Sequence, residues 1–195
     1  MGAKVLMMLA LLLFPAQASA ERQIKPFLGV TFGGGTTIVD LEHATGQPKL
    51  AIGVTGALLA DVIGIEVDVA RTPGFFQSGD EHLVQRSSAT TVTGGIIVAA
   101  PRHLTEYTLR PYLTLGGGLM RARIDDTLGV LRVEANLPAI DAGGGATGFL
   151  TKRIGLSWDL RYFRSVGGKI GGTGLSFGPA QLSFWRASMA LAIRH

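Results

Sequence analysis

The stretch Ile63-Gly64-Ile65-Glu66-Val67-Asp68-Val69-Ala70 decides the fold. Isoleucine and valine fill the odd positions. Glycine, glutamate, aspartate and alanine fill the even ones. Strict alternation with a period of two reads as a β-strand with one apolar face. The pattern recurs along the chain. Leu28, Val30 and Phe32 share a face in a first strand over 26–32. Ile52, Val54 and Leu58 do so over 50–59, before a tight turn at 60–62. Val92, Ile96 and Val98 align over 88–99, and Leu113, Leu115 and Leu119 over 110–123. A weaker sixth strand, 139–150, contains three consecutive glycines, Gly143, Gly144 and Gly145. A turn at 151–153, a seventh strand over 155–163 and a last one over 182–194 complete a set of eight. Polar stretches at 40–48, 72–86 and 125–136 and a glycine-rich one at 167–178 separate them. The connections after the odd strands are mostly long and those after the second and sixth short. The connection at 101–108 is longer than that alternation requires.

The first twenty residues read as a segment outside this fold. Lys4 supplies a short positive start, Val5 opens an almost unbroken apolar run to Phe14, and Ala18-Ser19-Ala20 offers a small-residue cleavage site. That is the composition of a secretory signal peptide, with an apolar core too short to span a bilayer. The expectation is a signal peptide over 1–20 and one barrel domain over 21–195. Cleavage removes only Lys4 among the charges, so the formal charge falls from +4 to +3. The chain has no cysteine, so its stability comes from the sheet rather than from disulfides.

Only 16% of the residues are charged, against roughly 25% in a typical soluble domain. No later segment has eighteen consecutive apolar residues, the length that a spanning helix needs. A closed barrel is the other structure that satisfies every backbone group in lipid. The basic residues are scattered and do not interleave with stacking aromatics, which argues against nucleic acid despite a pI near 9.8.

The less apolar face settles the direction. Were the apolar face a core, the other would meet water and carry many charges. Instead the second strand offers Ala51, Gly53, Thr55 and Ala57. The fourth offers Thr91, Thr93, Gly95 and Ala99, with Ile97 as its one large exception. Small uncharged residues suit the crowded lumen of an eight-stranded barrel. The apolar residues then face lipid, among them Ile65, Val67, Ile96, Leu113, Leu115, Leu119, Trp158, Met189 and Leu191. Phe32, Tyr162 and Trp185 fit an interfacial aromatic belt.

The few lumen-face charges come in both signs. Glu66 and Asp68 lie on the third strand, Asp159 and Arg161 on the seventh, Arg186 and Arg194 on the last. The expectation is a charge network in which Glu66, Asp68 and Asp159 accept from Arg161 and Arg186. The third and seventh strands are not neighbours, so that contact must cross the lumen. An ion path or catalytic carboxylates are the functional alternative.

Three segments carry a family resemblance. They are Arg110-Pro111-Tyr112-Leu113-Thr114-Leu115 with Gly116-Gly117-Gly118-Leu119, then Trp158-Asp159-Leu160-Arg161-Tyr162-Phe163-Arg164, then Ser183-Phe184-Trp185-Arg186-Ala187-Ser188-Met189-Ala190-Leu191. In these the chain resembles the small outer-membrane β-barrels of the OmpA, OmpX and OmpW type. The resemblance implies an all-β, eight-stranded antiparallel up-and-down transmembrane barrel, exported and assembled by the outer-membrane insertion machinery. It implies no catalytic residue. Family members usually end in an aromatic residue; this chain ends Ala192-Ile193-Arg194-His195, so the insertion signal is degenerate there or read differently.

No chemistry stands out. His43, His82, His103 and His195 are far apart and form no hydrolase or metal spacing. The run from Gly167 to Gly174 has Ile170 after Lys169, where a phosphate loop needs Ser or Thr. The glycine runs at 116–118 and 143–145 read as aids to curvature and close packing. The expectation is therefore a monomer with no cofactor, no metal and no enzymatic activity, in contact with outer-membrane lipid and lipopolysaccharide. It is structural or surface-exposed. A narrow pore or small-ligand conduit and a soluble, lipocalin-like periplasmic barrel for an apolar ligand stay open.

Overall fold

The computed structural model describes residues 20–36, 48–75, 84–105, 109–126, 132–167, 170–171 and 181–195. Positions 1–19 of the expected signal peptide lie outside the described residues. The strands are β1 (Glu21–Thr36), β2 (Lys49–Leu59), β3 (Ile63–Pro73), β4 (Val84–Ala99), β5 (Leu109–Asp126), β6 (Arg132–Phe149), β7 (Ile154–Ser165), β8 (Ile170–Gly171) and β9 (Leu182–Arg194). A 3-10 turn, Arg102–Leu104, sits between β4 and β5.

Each long strand pairs antiparallel with its sequence neighbours, and β1 pairs with β9. The sheet therefore closes into an eight-stranded up-and-down barrel. Closure matters because it removes both sheet edges. The two-residue β8 does not belong to the ring; it pairs with Glu134 and Ala135 on β6, beyond the point where β7 ends. The turns at 60–62 and 150–153, the 3-10 turn and the end of β9 lie at one end of the barrel. There the His195 N–H donates to the Arg22 carbonyl, 3.0 Å.

Alternation decides what faces in. On β3, Glu66, Asp68, Ala70 and Thr72 are buried while Ile63, Ile65, Val67 and Val69 are exposed. The outward residues align across strands through the register Leu58↔Ile65, Ile65↔Ile96 and Ile96↔Leu115. They form a continuous apolar band around the outside.

The connection expected over 125–136 is largely strand. β5 runs to Asp126 and β6 starts at Arg132, with Asp125 opposite Arg132. This stretch looks polar because outward residues above the apolar band are polar: Asn136 is exposed, as is its partner Arg121 on β5. Its inward residues, Ala135 and Leu137, are buried. β3 and β4 likewise extend into the stretch expected as a connection over 72–86.

Candidate functional site: a filled, charged lumen

The interior is layered along the barrel axis. At mid-height Arg161 of β7 reaches across to β3. Its Nη1 donates to Glu66 Oε1 at 2.6 Å and its Nη2 to Glu66 Oε2 at 3.2 Å. Its Nε donates to Asp159 Oδ1 at 2.7 Å, and Asp141 Oδ2 lies 3.7 Å from Nη1. Arg186 of β9 makes the second fork, with Nη1 to Asp68 Oδ1 at 2.9 Å and Nη2 to Asp68 Oδ2 at 2.8 Å. Thr55 also donates to Asp68, and Thr114 to Glu66. Two parallel charge-assisted bonds fix both distance and orientation, which one point charge cannot do.

Aromatic rings brace the guanidinium of Arg186. Its Cζ lies 4.5 Å from the Phe27 ring centroid and 4.9 Å from that of Phe163. Cation–π attraction is strongest where both groups have left water. Tyr112 extends the polar layer, donating to Asp159 Oδ2 at 2.9 Å, with Lys25 Nζ 4.7 Å above its ring.

Glycine makes the room. A Cβ on Gly143 would lie 2.7 Å from Arg161 Cγ, and one on Gly145 2.9 Å from the Tyr112 hydroxyl. The weak glycine-rich strand is thus the floor on which the long lumen side chains lie.

An apolar layer closes the other side of this network. Phe75, Met120, Leu137, Phe163, Leu182 and Phe184 form one buried cluster. Phe163 stacks on Phe184, and Phe75 meets Phe184 edge-on, both at 5.1 Å between centroids. Leu59, Ile97, Ala99 and Tyr112 form a smaller cluster towards the turn end.

Glu66, Asp159 and Arg161 therefore come together, as do Asp68 and Arg186. Arg194 does not join them; it lies at the turn end, 3.2 Å from Glu21. Sequence reasoning missed Lys25, Asp141 and the apolar layer. Parity was the available signal: Phe163 is two residues past Arg161, and Phe184 two before Arg186, so both must point inward. Ile65, Val67, Ile96, Leu113, Leu115, Leu119, Trp158, Met189 and Leu191 all point outward and are between 44% and 69% exposed. Tyr162 and Trp185 sit side by side on adjacent strands, 5.0 Å between centroids, with Phe32 opposite Trp185.

The carboxylates of the network are taken up by arginines. Among the described residues no group of three or more His, Cys, Asp or Glu is placed to hold a metal ion.

No protein-family model and no curated protein matches the sequence. Solved structures do match. OprG of Pseudomonas aeruginosa is similar with a TM-score of 0.60 at 14% identity, over 90% of this chain and 96% of that one. Neisserial surface protein A is similar with a TM-score of 0.58 at 13% identity, over 88% and 96%. The chain has the fold of the small outer-membrane β-barrels. Ail, the attachment invasion locus protein of Yersinia pestis, shares this barrel fold with a TM-score of 0.52 at 13% identity, over 89% and 99%. Against that fold the facing is consistent: an outer-membrane barrel carries its apolar band outside and its polar residues within.

Proposed function

We propose that this protein spans the bacterial outer membrane as a monomeric, closed-lumen barrel that serves a structural or surface role without catalysis. A signal peptide over 1–20 directs export and is removed after Ala20, and assembly uses the outer-membrane insertion machinery. Lipid and lipopolysaccharide surround the outward band. One observation carries the reading: large apolar side chains cover the outside while paired charges and phenylalanines fill the inside. A lipocalin-like carrier needs the reverse, an apolar cavity and a charged exterior. Two of the similar structures are named as a surface protein and an attachment protein, which supports the surface role.

The conduit reading has one observation in its favour. Arg186 Nε and Asp141 Oδ1 are buried in the lumen with no hydrogen-bond partner. Buried polar atoms of this kind are natural stations for water. The filled layers above and below them still favour a closed barrel.

Membrane fractionation with heat-dependent gel mobility tests the proposal. The protein should pellet with outer membranes and migrate as a compact band until boiled. Recovery in the detergent-free periplasmic fraction would refute it.

A further inference from the structure

The turn end of the lumen holds a second cluster, distinct from the β3–β7 network. Glu21 is buried on β1 and faces three arginines. Arg102 Nη2 contacts its Oε2. Arg194 Nη1 lies 3.2 Å from Oε1, and Arg110 Nη1 lies 3.6 Å from Oε2. Gln23 also donates to Oε1, at 2.8 Å. Glu21 and the three arginines, with Thr105 and Phe149, line a half-open cavity of about 180 Å³.

The charges do not balance. Three guanidinium groups face the Glu21 carboxylate, and the exposed Asp61 is a further acid near Arg110. Backbone carbonyls take some of the donors: Ala100 accepts from Arg110 Nε at 2.9 Å, Asp61 from Arg110 Nη2, and Lys152 from Arg194 Nε at 2.9 Å. Carbonyls satisfy N–H groups but supply no negative charge. Arg110 is 6% exposed, and its buried Nη1 makes no hydrogen bond. An unsatisfied donor on a buried cation is costly, and Arg110 is among the residues that line the cavity. Convergent planar forks match oxyanions in geometry as well as charge.

We propose that this mouth binds an oxyanion, a phosphate or carboxylate group, for which Glu21 is the built-in competitor. The ligand engages Arg110, Arg102 and Arg194, and Glu21 lowers its affinity by occupying the same guanidinium groups. Cleavage after Ala20 would add an α-ammonium at the same mouth and strengthen the attraction.

The test uses the folded barrel in zwitterionic micelles, observed through the Nε–Hε NMR signals of its arginines. Inorganic phosphate is titrated in one arm and phosphatidylglycerol, mixed into the micelle, in the other. Saturable shifts confined to Arg102, Arg110 and Arg194 are expected, and the arm that saturates identifies a free or a lipid-borne anion. Arg110→Gln should abolish the shifts, Glu21→Gln should tighten binding severalfold, and Arg164→Gln on the outward face of β7 should change nothing. Phosphate should also raise the melting temperature of the wild-type barrel but not of Arg110→Gln, a readout that does not need the Glu21 variant. No saturable shift in either arm, or equal or weaker binding in a folded Glu21→Gln barrel, would overturn the proposal.

Discussion

Arg161 on β7 and Glu66 on β3 sit half-way round the ring from each other and still meet through two hydrogen bonds, 2.6 and 3.2 Å long. The pair spans the lumen and so braces opposite walls. Removing one partner strands the other charge in a buried site. Arg161→Met should therefore destabilise the barrel by about 3–5 kcal/mol. The double variant Arg161→Met with Glu66→Met should recover part of that loss. Urea unfolding in bilayers measures both, and additive effects would show that the two residues do not act as a pair.

Gly143 lies beneath that arginine. A Cβ there would crowd the Leu160 carbonyl and come within 2.7 Å of Arg161 Cγ, whereas one on Gly117 finds its nearest neighbour at 3.5 Å. Gly143→Ala should lose about 1–3 kcal/mol through overpacking. Gly117→Ala should be nearly neutral. Equal unfolding midpoints for the two variants would show that glycine is not needed under the network.

Leu115 is 65% exposed and belongs to the row through Ile65 and Ile96. If that row lies near the bilayer midplane, Leu115→Arg costs roughly 2–4 kcal/mol on folding into bilayers. Folding titrations of the two forms check the value. An unaffected variant would place the band in water.

Planar-bilayer conductance tests the filled interior. The wild type should give no large, stable channels. Truncating Arg186, which lies between Phe27 and Phe163, opens space at mid-lumen, so Arg186→Ala should show conductance absent from the parent. Large steady channels from the wild type would overturn the closed-lumen account.

Much of this was legible from the chain because a strand's period is two, so one residue assigns a face to all its neighbours. Glu66 and Asp68 beside Val67 and Val69 were enough to orient β3. The wet ends of strands were harder. Above the apolar band both faces can be polar, so 125–126 and 132–136 resembled parts of a connection although they belong to β5 and β6. The apolar layer escaped for the opposite reason: Phe163 and Phe184 are large apolar residues on the lumen face, with the parity of Arg161 and Arg186. Glu21 and Arg102 are far apart in sequence and meet only because barrel closure brings the start of β1 beside the 3-10 turn. No local pattern encodes that contact.

The outward face meets lipid, and the two tryptophans report on it directly. Trp158 and Trp185 both point outward, 48% and 40% exposed. In a Trp185→Phe barrel refolded into bilayers, Trp158 is the only tryptophan. Lipids brominated on the acyl chain should quench its fluorescence strongly, while aqueous iodide should have little effect. Strong quenching by iodide with none by brominated lipid would contradict the account.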